Sequence, residues 1–212
     1  MGMKGFDAVV AGMAFVSLAR SPALAHSLDE LEQQLLERES YLEVVERPAP
    51  DFRLQDAEGR TVGLADFRGK VVVLWFIYAS CPDFCPLQSE KIAEIQEMAN
   101  STPMRDLVQF IAVTTDPERD APEVLKCYGP AHGLDSANWV FLTSGPERPA
   151  ATRELAERYG LKFTLTEDGY QMHGVVTHLV DKSGNLRGRY HGLKFEPVNF
   201  ILHLNALTND DH

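Results

Sequence analysis

Hydrophobic residues fall into short, dense runs that alternate with amphipathic segments, a pattern that predicts strands alternating with helices. Val71 to Tyr78 is a near-continuous apolar run, typical of a strand covered on both faces. Further strand-like runs cover residues 108–114, 139–142, 175–181 and 186–190. Amphipathic stretches predict helices at residues 86–100, from 122 onward, at 149–159 and at 197–207. This order predicts an α/β fold whose central sheet carries helices on both faces.

The region before the first central strand predicts a leader and a hairpin. Leu28 to Val45 carries spaced apolar residues among many acids, which indicates an exposed helix or a mobile leader. In Asp51 to Leu64, apolar and polar residues alternate on both sides of a turn, which predicts an N-terminal hairpin. We therefore expect a leader at 26–47, one domain at 48–207 and a short tail at 208–212.

The first 25 residues resemble a secretory signal. Lys4 gives a positive start, residues 8–19 form an apolar core, and Ala23-Leu24-Ala25 is a small-residue cleavage site. The apolar core is too short to span a bilayer. We expect cleavage after Ala25 and an exported, periplasmic protein without stable membrane insertion. The alternative is a protein tethered by an uncleaved N-terminal segment.

The charge balance limits the classes of partner that the protein is suited to bind. The chain carries 31 acidic and 20 basic side chains, a formal net charge of −11. Such a chain is poorly suited to nucleic acid or to an anionic membrane surface. Cations, or proteins with a basic docking face, are the partners that this charge favours.

Two cysteines, Cys81 and Cys85, lie between the first central strand and the next helix. Pro86 fits the first helical position, so we expect the helix to begin there with Cys85 at or next to its N-cap. A helix N-terminus lowers the pKa of nearby thiols, which favours both disulfide exchange and soft-metal binding. Three intervening residues, rather than the usual two of redox motifs, leave both chemistries open. Two thiolates and one imidazole would suit copper, whereas a structural zinc site needs four ligands.

The third cysteine, Cys127, follows a Pro-containing helix start. We interpret it as a half-buried helical thiol, because cysteine is often a small core residue. A resolving or intermolecular thiol is the alternative interpretation.

Three segments together resemble the Sco/SenC family of copper-binding assembly factors. They are Gly69-Lys-Val-Val-Val-Leu-Trp-Phe76, Cys81-Pro-Asp-Phe-Cys-Pro86 and Val113-Thr-Thr-Asp-Pro-Glu-Arg-Asp120. The resemblance covers roughly residues 48–207. It implies a thioredoxin-like fold, a copper ion, Cu(I) or Cu(II), held by two cysteines and a histidine, and a role in building the copper centre of a terminal cytochrome oxidase. The implied partners are a copper-accepting oxidase subunit and a copper donor protein.

The resemblance also implies the third ligand. The family histidine lies six residues before the Leu-Val-Asp end of its strand, and counting back from Leu179 reaches His173. This chain carries Met172 where an aspartate usually precedes that histidine, and Gly174 where a small hydroxyl residue is common. Ala79-Ser80 replaces the usual Thr-His before the first cysteine.

Two further residues, Asp116 and His178, have either a functional or a structural role. Asp116 ends its predicted strand, so it is either a carboxylate beside the metal, as the resemblance implies, or a turn-forming Asp-Pro. His178 lies five residues beyond His173 and points to the opposite side of the strand. We interpret it as a satisfied histidine of the sheet.

Two classes of function remain. The first is a copper metallochaperone that uses Cys81, Cys85 and His173. The alternative is a thiol-disulfide oxidoreductase that shuttles Cys81 and Cys85 and acts on cysteines of a copper-receiving or other exported protein. Thioredoxin-like reductases carry a cis-proline before the strand facing their cysteines, whereas residues 174–177 contain no proline. The absence of this proline, beside a histidine, favours metal binding.

Overall fold

The computed structural model describes residues 27–165 and 171–210. Its main sheet has six strands in the order β1-β10-β9-β4-β5-β6, and two small hairpins pair β2 with β3 and β7 with β8. The strands in this part of the chain are β1 Leu42–Pro48, β2 Arg53–Gln55, β3 Thr61–Gly63, β4 Val71–Ile77, β5 Val108–Thr114, β6 Trp139–Leu142, β7 Phe163–Leu165, β8 Gln171–His173, β9 Val176–Val180 and β10 Asn185–His191. Its α-helices are α1 Leu28–Arg38, α2 Phe84–Asn100, α3 Pro122–Ala131, α4 Pro149–Arg158 and α5 Pro197–Asn209.

The sheet is mixed, and its centre is β4. Strands β4, β5 and β6 run parallel, whereas β9 is antiparallel to β4, and β10 and β1 continue the antiparallel half. All seven residues of β4 are buried, as the continuous apolar run predicted. Alternate residues of this strand therefore face two separate cores.

Helices cover both faces of the sheet, which confirms the predicted fold class. Val71, Val73 and Trp75 face a core built with apolar residues of α1, α2, α3 and α5. Val72, Leu74 and Phe76 face a second core, built with α4 and with the β2–β3 hairpin predicted from residues 51–64.

The segment before the hairpin differs from the expected leader. The helix prediction is confirmed at 28–38, where Ser27 and Glu30 form a reciprocal capping box. This helix packs on α5 and buries Leu35, so it is not simply an exposed helix. Residues 42–48 form the edge strand β1, paired with β10, where we expected helix or mobile chain. The acids that dominate this segment masked its strand character, since an edge strand needs to bury only part of its surface.

Helix α2 begins earlier than predicted. Its first residue is Phe84 and its N-cap is Asp83, so Pro86 is the third helical residue rather than the first. Proline is accepted there because N–H groups of the first turn have no intrahelical partner. The shift places Cys85 inside the helix.

The stretch that follows α4 contains the short hairpin of β7 and β8, with Phe163 opposite His173. The predicted signal segment and the last two tail residues lie outside the described residues. Within residues 27–165 and 171–210, no helix has the length and apolar composition needed to cross a membrane.

Candidate metal centre

The two neighbouring cysteines lie at the connection between β4 and α2. Cys81 lies on the connecting loop, and its N–H donates to the Tyr78 carbonyl at 3.1 Å. Its side chain is half-buried, whereas Cys85, in the first turn of α2, is buried. The pair therefore presents one accessible and one covered sulfur.

The two thiols are electrostatically unequal. A hydrogen bond from the Cys85 thiol lowers the pKa of Cys81 to about 5, despite its partial burial, and N–H groups of Asp83 and Cys85 and the Tyr78 hydroxyl add to the effect. The hydrogen bond to Cys81 raises the pKa of Cys85, and burial and the charge of Asp120 raise it further. These opposite shifts favour a thiolate on Cys81 over one on Cys85, and the start of α2 stabilises that charge.

A buried carboxylate supports the loop that carries Cys81. Asp120 accepts hydrogen bonds from the Ala79 N–H at 3.0 Å and from the Thr114 hydroxyl at the end of β5. Its side chain is almost fully buried. Burial raises the pKa of Asp120, and these two hydrogen bonds oppose that rise. Asp120 therefore ties the cysteine loop to the neighbouring strand.

Asp116 has a different place. Its carboxylate pairs with Arg119 at 3.4 Å, and its N–H donates to Thr114 Oγ1 at 2.9 Å. Its carbonyl accepts from the N–H groups of Arg119 and Asp120, which closes a turn. The contacts described here are those of a turn-forming Asp-Pro.

The backbone of His173 lies at the cysteine end of the sheet. Thr177 pairs with Trp75 and Val180 with Val72, so the chain preceding β9 runs toward the end of β4 from which the cysteine loop departs. The side chain of His173 lies outside the described part of the structure, as does that of Met172. Backbone topology thus brings the predicted ligand segment to the right end of the sheet.

His178 is a structural histidine of the sheet, as predicted. Its ring is fully buried, with Nδ1 3.2 Å from the Leu74 carbonyl and Nε2 3.2 Å from the Tyr159 carbonyl. Burial lowers the pKa of His178 to about 3, so the ring is neutral and donates its single N–H to one of these two carbonyls. The ring packs edge-on against the aromatic rings of Phe76 and Tyr159.

The interpretation of Cys127 as half-buried is wrong. Helix α3 buries Leu125, Tyr128 and Gly129, and Cys127 lies on the opposite, exposed side. A cysteine is often buried, but here the helical period of the neighbouring apolar residues decides its orientation.

Sequence reasoning missed three polar residues around the thiols. Asp120 belongs to a segment that carries the family resemblance, and its position between a strand end and a helix is a sequence signal for a site residue. Tyr128 reaches the Cys85 carbonyl at 3.4 Å and the Ser89 hydroxyl at 3.0 Å. Gln88, on α2, donates to β9. Nothing in the local sequence separates the last two from ordinary helix residues.

Among the side chains that the structure describes, no group of three or more His, Cys, Asp and Glu converges as a metal site. The described sulfur donors at the cysteine end are Cys81 and Cys85. A half-exposed thiolate next to a covered thiol can attack a disulfide or bind a soft metal ion.

Comparison with known proteins identifies the relatives of this arrangement. The SCO1/SenC family profile matches residues 43–208. The chain is 35% identical over 100 residues to the mitochondrial protein SCO2 homolog of Homo sapiens, a match covering 46% of this chain and 38% of that protein. The matched region thus spans about two fifths of the human relative.

Solved structures show the same fold. The SCO1/SenC family lipoprotein from Bacillus anthracis str. Ames is 26% identical, with a TM-score of 0.69 over 79% of this chain and 98% of that chain. Bradyrhizobium japonicum ScoI, solved with copper bound, is 27% identical, with a TM-score of 0.62 over 76% of this chain and 99% of that one. The mixed sheet, the cysteine pair at the start of α2 and the match over residues 43–208 lead to one conclusion: the chain belongs to the SCO1/SenC family.

Proposed function

We propose that this chain binds one copper ion through Cys81, Cys85 and His173 and delivers it to a copper-accepting subunit of a cytochrome oxidase. The observation that carries the proposal is the placement of two thiols, the half-buried Cys81 and the buried Cys85, at the start of α2. Bradyrhizobium japonicum ScoI was solved with copper bound, and nearly the whole length of ScoI is similar to this chain. The assembly role is the one implied by the family resemblance.

The thiol pair suits a copper cargo that must later leave. Soft thiolates favour Cu(I), and an added imidazole makes Cu(II) accessible. Cys81 is half-exposed, so a partner's ligand can approach the metal from solvent. Phe84 and Leu87 lie beside the thiols and are about half exposed, which offers the partner an apolar contact.

Anaerobic titration of the reduced protein with copper tests the ligand set. We expect about one copper per chain and a thiolate-to-Cu(II) charge-transfer band. Replacing either cysteine by serine should abolish the band. His173→Ala should weaken Cu(II) more than Cu(I), because the harder ion depends more on nitrogen.

His191 provides the matched control. It lies opposite Val176 on the neighbouring strand, at the same end of the sheet, and its exposed ring contacts Glu43. His191→Ala should leave the Cu(II) spectrum unchanged. If His191→Ala alters the spectrum while His173→Ala does not, the nitrogen ligand has been assigned to the wrong histidine.

A second function is favoured by the inequality of the two thiols. The Cys81 thiolate could attack a disulfide of a partner, form a mixed disulfide and release one partner thiolate. Cys85 would then attack Cys81, giving the Cys81–Cys85 disulfide and the second partner thiol, so two electrons pass to the partner. An accessible thiolate and a covered thiol, as found here, fit these two steps.

Reduction of a disulfide peptide distinguishes the reductase from the metallochaperone. A peptide carrying the cysteines of an oxidase copper site, in its disulfide form, is offered to the reduced protein. Stoichiometric reduction, with a mixed disulfide trapped by Cys85→Ser, supports the reductase. Intact copper binding without reduction of the peptide leaves the metallochaperone alone.

We also propose that the chain is exported and cut after Ala25. The support is the signal-like pattern of the first 25 residues. Intact mass of the protein recovered from a bacterial periplasm tests this, since cleavage gives a chain beginning at His26. Recovery of the full-length chain in the membrane fraction would instead support the uncleaved tether.

A further inference from the structure

One buried amide joins the two parts of the proposed copper site. Gln88 lies on α2, one turn beyond Cys85, and is almost fully buried. Its Nε2 donates to the Val176 carbonyl and to Thr177 Oγ1, both at 3.2 Å. Val176 and Thr177 are the first two residues of β9. The amide therefore connects the helix that bears Cys85 to the strand that follows His173.

The residues joined by this hydrogen bond lie close in sequence to the proposed ligands. Gln88 is three residues after Cys85, so the two share a helix face. Val176 is three residues after His173, about 10 Å of extended chain. A helix and a strand from distant parts of the sequence are thus linked close to both proposed ligand positions.

A neighbouring backbone hydrogen bond fixes another part of this geometry. The Val175 carbonyl accepts a hydrogen bond from the Gly192 N–H at 2.8 Å, which holds the entry of β9 in the sheet. That bond sets the position relative to β10 and says nothing about the distance to α2. Gln88 supplies a direct contact between the start of β9 and α2.

We propose that Gln88 is a positioning residue of the copper site, which sets the distance between the His173 segment and the two sulfurs by holding the start of β9 against α2. This inference rests on the proposed function, since it takes His173 as the nitrogen ligand. Burial of the amide without its two acceptors would be unfavourable, so the contact is maintained in the folded protein.

The test compares Gln88→Met with a matched control on the same helix. Methionine keeps the length and flexibility of glutamine and removes both donors. Gln96 is an equally buried amide two turns later, bonded through Nε2 to the Asp135 carbonyl at 2.9 Å and to Asn138 Oδ1 at 2.7 Å. Gln96→Met disturbs α2 to a similar degree at its far end.

Copper affinity provides the first measurement. Gln88→Met should weaken Cu(II) binding by about tenfold, the usual cost of losing a group that orients a ligand. Cu(I) should weaken less than threefold, because the variant leaves in place both Cys85 on α2 and Cys81 on the preceding loop. Gln96→Met should leave the ratio of the two affinities unchanged, whatever it does to the melting temperature.

A second measurement needs no metal. In the reduced, metal-free protein, amide hydrogen exchange of residues 174–178 should be faster in Gln88→Met than in wild type. Gln96→Met should not change it. Thr177→Val, which removes one of the two acceptors and nearly keeps the shape, should give a smaller change of the same sign and serves if Gln88→Met does not fold.

The outcomes separate this inference from the proposed function. If His173→Ala weakens Cu(II) and the Gln88 and Thr177 variants do not, Gln88 does not position the ligand and the inference is overturned alone. If neither His173→Ala nor Gln88→Met affects Cu(II), both the ligand set and the inference fail. Selective loss of Cu(II) in both, with accelerated exchange in Gln88→Met, supports the inference.

Discussion

Two buried polar clusters in this molecule differ in how their charges are balanced. The first, the clamp cluster, joins α1, β10 and α5 and consists of Glu32, Arg187, Tyr190 and His203. Glu32 accepts from Arg187 at 3.2 Å and from His203 at 3.3 Å, and His203 Nδ1 lies 3.1 Å from the Tyr190 hydroxyl. The carboxylate therefore has a cation and a ring N–H as direct partners.

The second, the thiol cluster, consists of Cys81, Cys85, Thr114 and Asp120. Here the Asp120 carboxylate accepts from neutral groups, the Thr114 hydroxyl and the Ala79 N–H. Its charge acts on the sulfurs and raises the pKa of Cys85. The buried carboxylate of the clamp cluster is paired with a cation inside the cluster, whereas the negative charge of the thiol cluster is left to act on its neighbours.

This difference separates a structural role from a chemical one. A buried charge that is paired directly with an opposite charge fixes one arrangement of helices and strands. A buried charge without a directly bonded cation keeps a nearby thiol protonated and favours the arrival of a metal cation. We therefore expect changes in the clamp cluster to affect stability and changes in the thiol cluster to affect redox and metal chemistry.

The largest effect is expected from Glu32→Ala. Removing this carboxylate leaves Arg187 buried without its main partner, and breaking such a pair typically costs about 3–5 kcal/mol. The free energy of unfolding, from urea denaturation of the reduced protein, measures the loss. Asp29→Ala is the control, because Asp29 is exposed and its carboxylate lies 3.7 Å from Arg187. A loss below about 1 kcal/mol for Glu32→Ala would show that the cluster is not a clamp.

The same carboxylate should make stability pH-dependent. Burial alone would raise the pKa of Glu32, but His203 and Arg187 outweigh it and hold the pKa below its usual 4.5. A lowered pKa contributes stability above the unfolded value, and that contribution is lost as pH falls through the folded value. Wild type should therefore lose stability below about pH 5 more steeply than Glu32→Gln, by at most about 1.4 kcal/mol per pH unit. Parallel curves from pH 6 to pH 3 would contradict this.

Asp120→Asn should change the redox chemistry of the thiols and leave stability less affected. Asparagine retains an oxygen that accepts from Ala79 and Thr114, so the loop stays in place while the charge is removed. Thiolates then become more favourable, which stabilises the reduced form and should raise the reduction potential of the Cys81–Cys85 pair by about 10–30 mV. Equilibration with glutathione measures the potential.

Asp116→Asn is the matched control for this change. The Asp116 carboxylate already pairs with Arg119, so its charge is partly balanced. Its variant should move the potential less than Asp120→Asn does. An equal or larger shift for Asp116→Asn would show that the carboxylate at the strand end, and not the buried one, controls the thiols.

Sequence patterns predicted the elements that depend on local periodicity. The buried β4, the β2–β3 hairpin and the bounds of β6, Trp139–Leu142, follow from runs and alternation of apolar residues. The motif around Cys81 and Cys85 predicted the family, and the family profile confirmed it. Such features need only a few neighbouring residues to be recognised.

The features that were missed depend on distant partners. Strand β1 looks like an acidic helix until β10 is available to pair with it. Glu32 and His203 are 171 residues apart, and Gln88 and Val176 are 88 apart, so no local pattern indicates either contact. Asp120 owes its place beside the cysteine loop to the parallel pairing of β4 with β5.

The smallest effect is expected from Cys127→Ser, which tests the boundary of the thiol cluster. Cys127 is exposed on α3, whose buried residues face the other way, so serine replaces sulfur in contact with water. We expect a change in the free energy of unfolding within about 0.5 kcal/mol, and unchanged copper stoichiometry and Cys81–Cys85 potential. The measurement is the same set of denaturation, titration and glutathione experiments on the single variant. A fall in copper stoichiometry would mean that a thiol outside the cluster takes part in metal binding, and the division between one reactive pair and an uninvolved third cysteine would have to be abandoned.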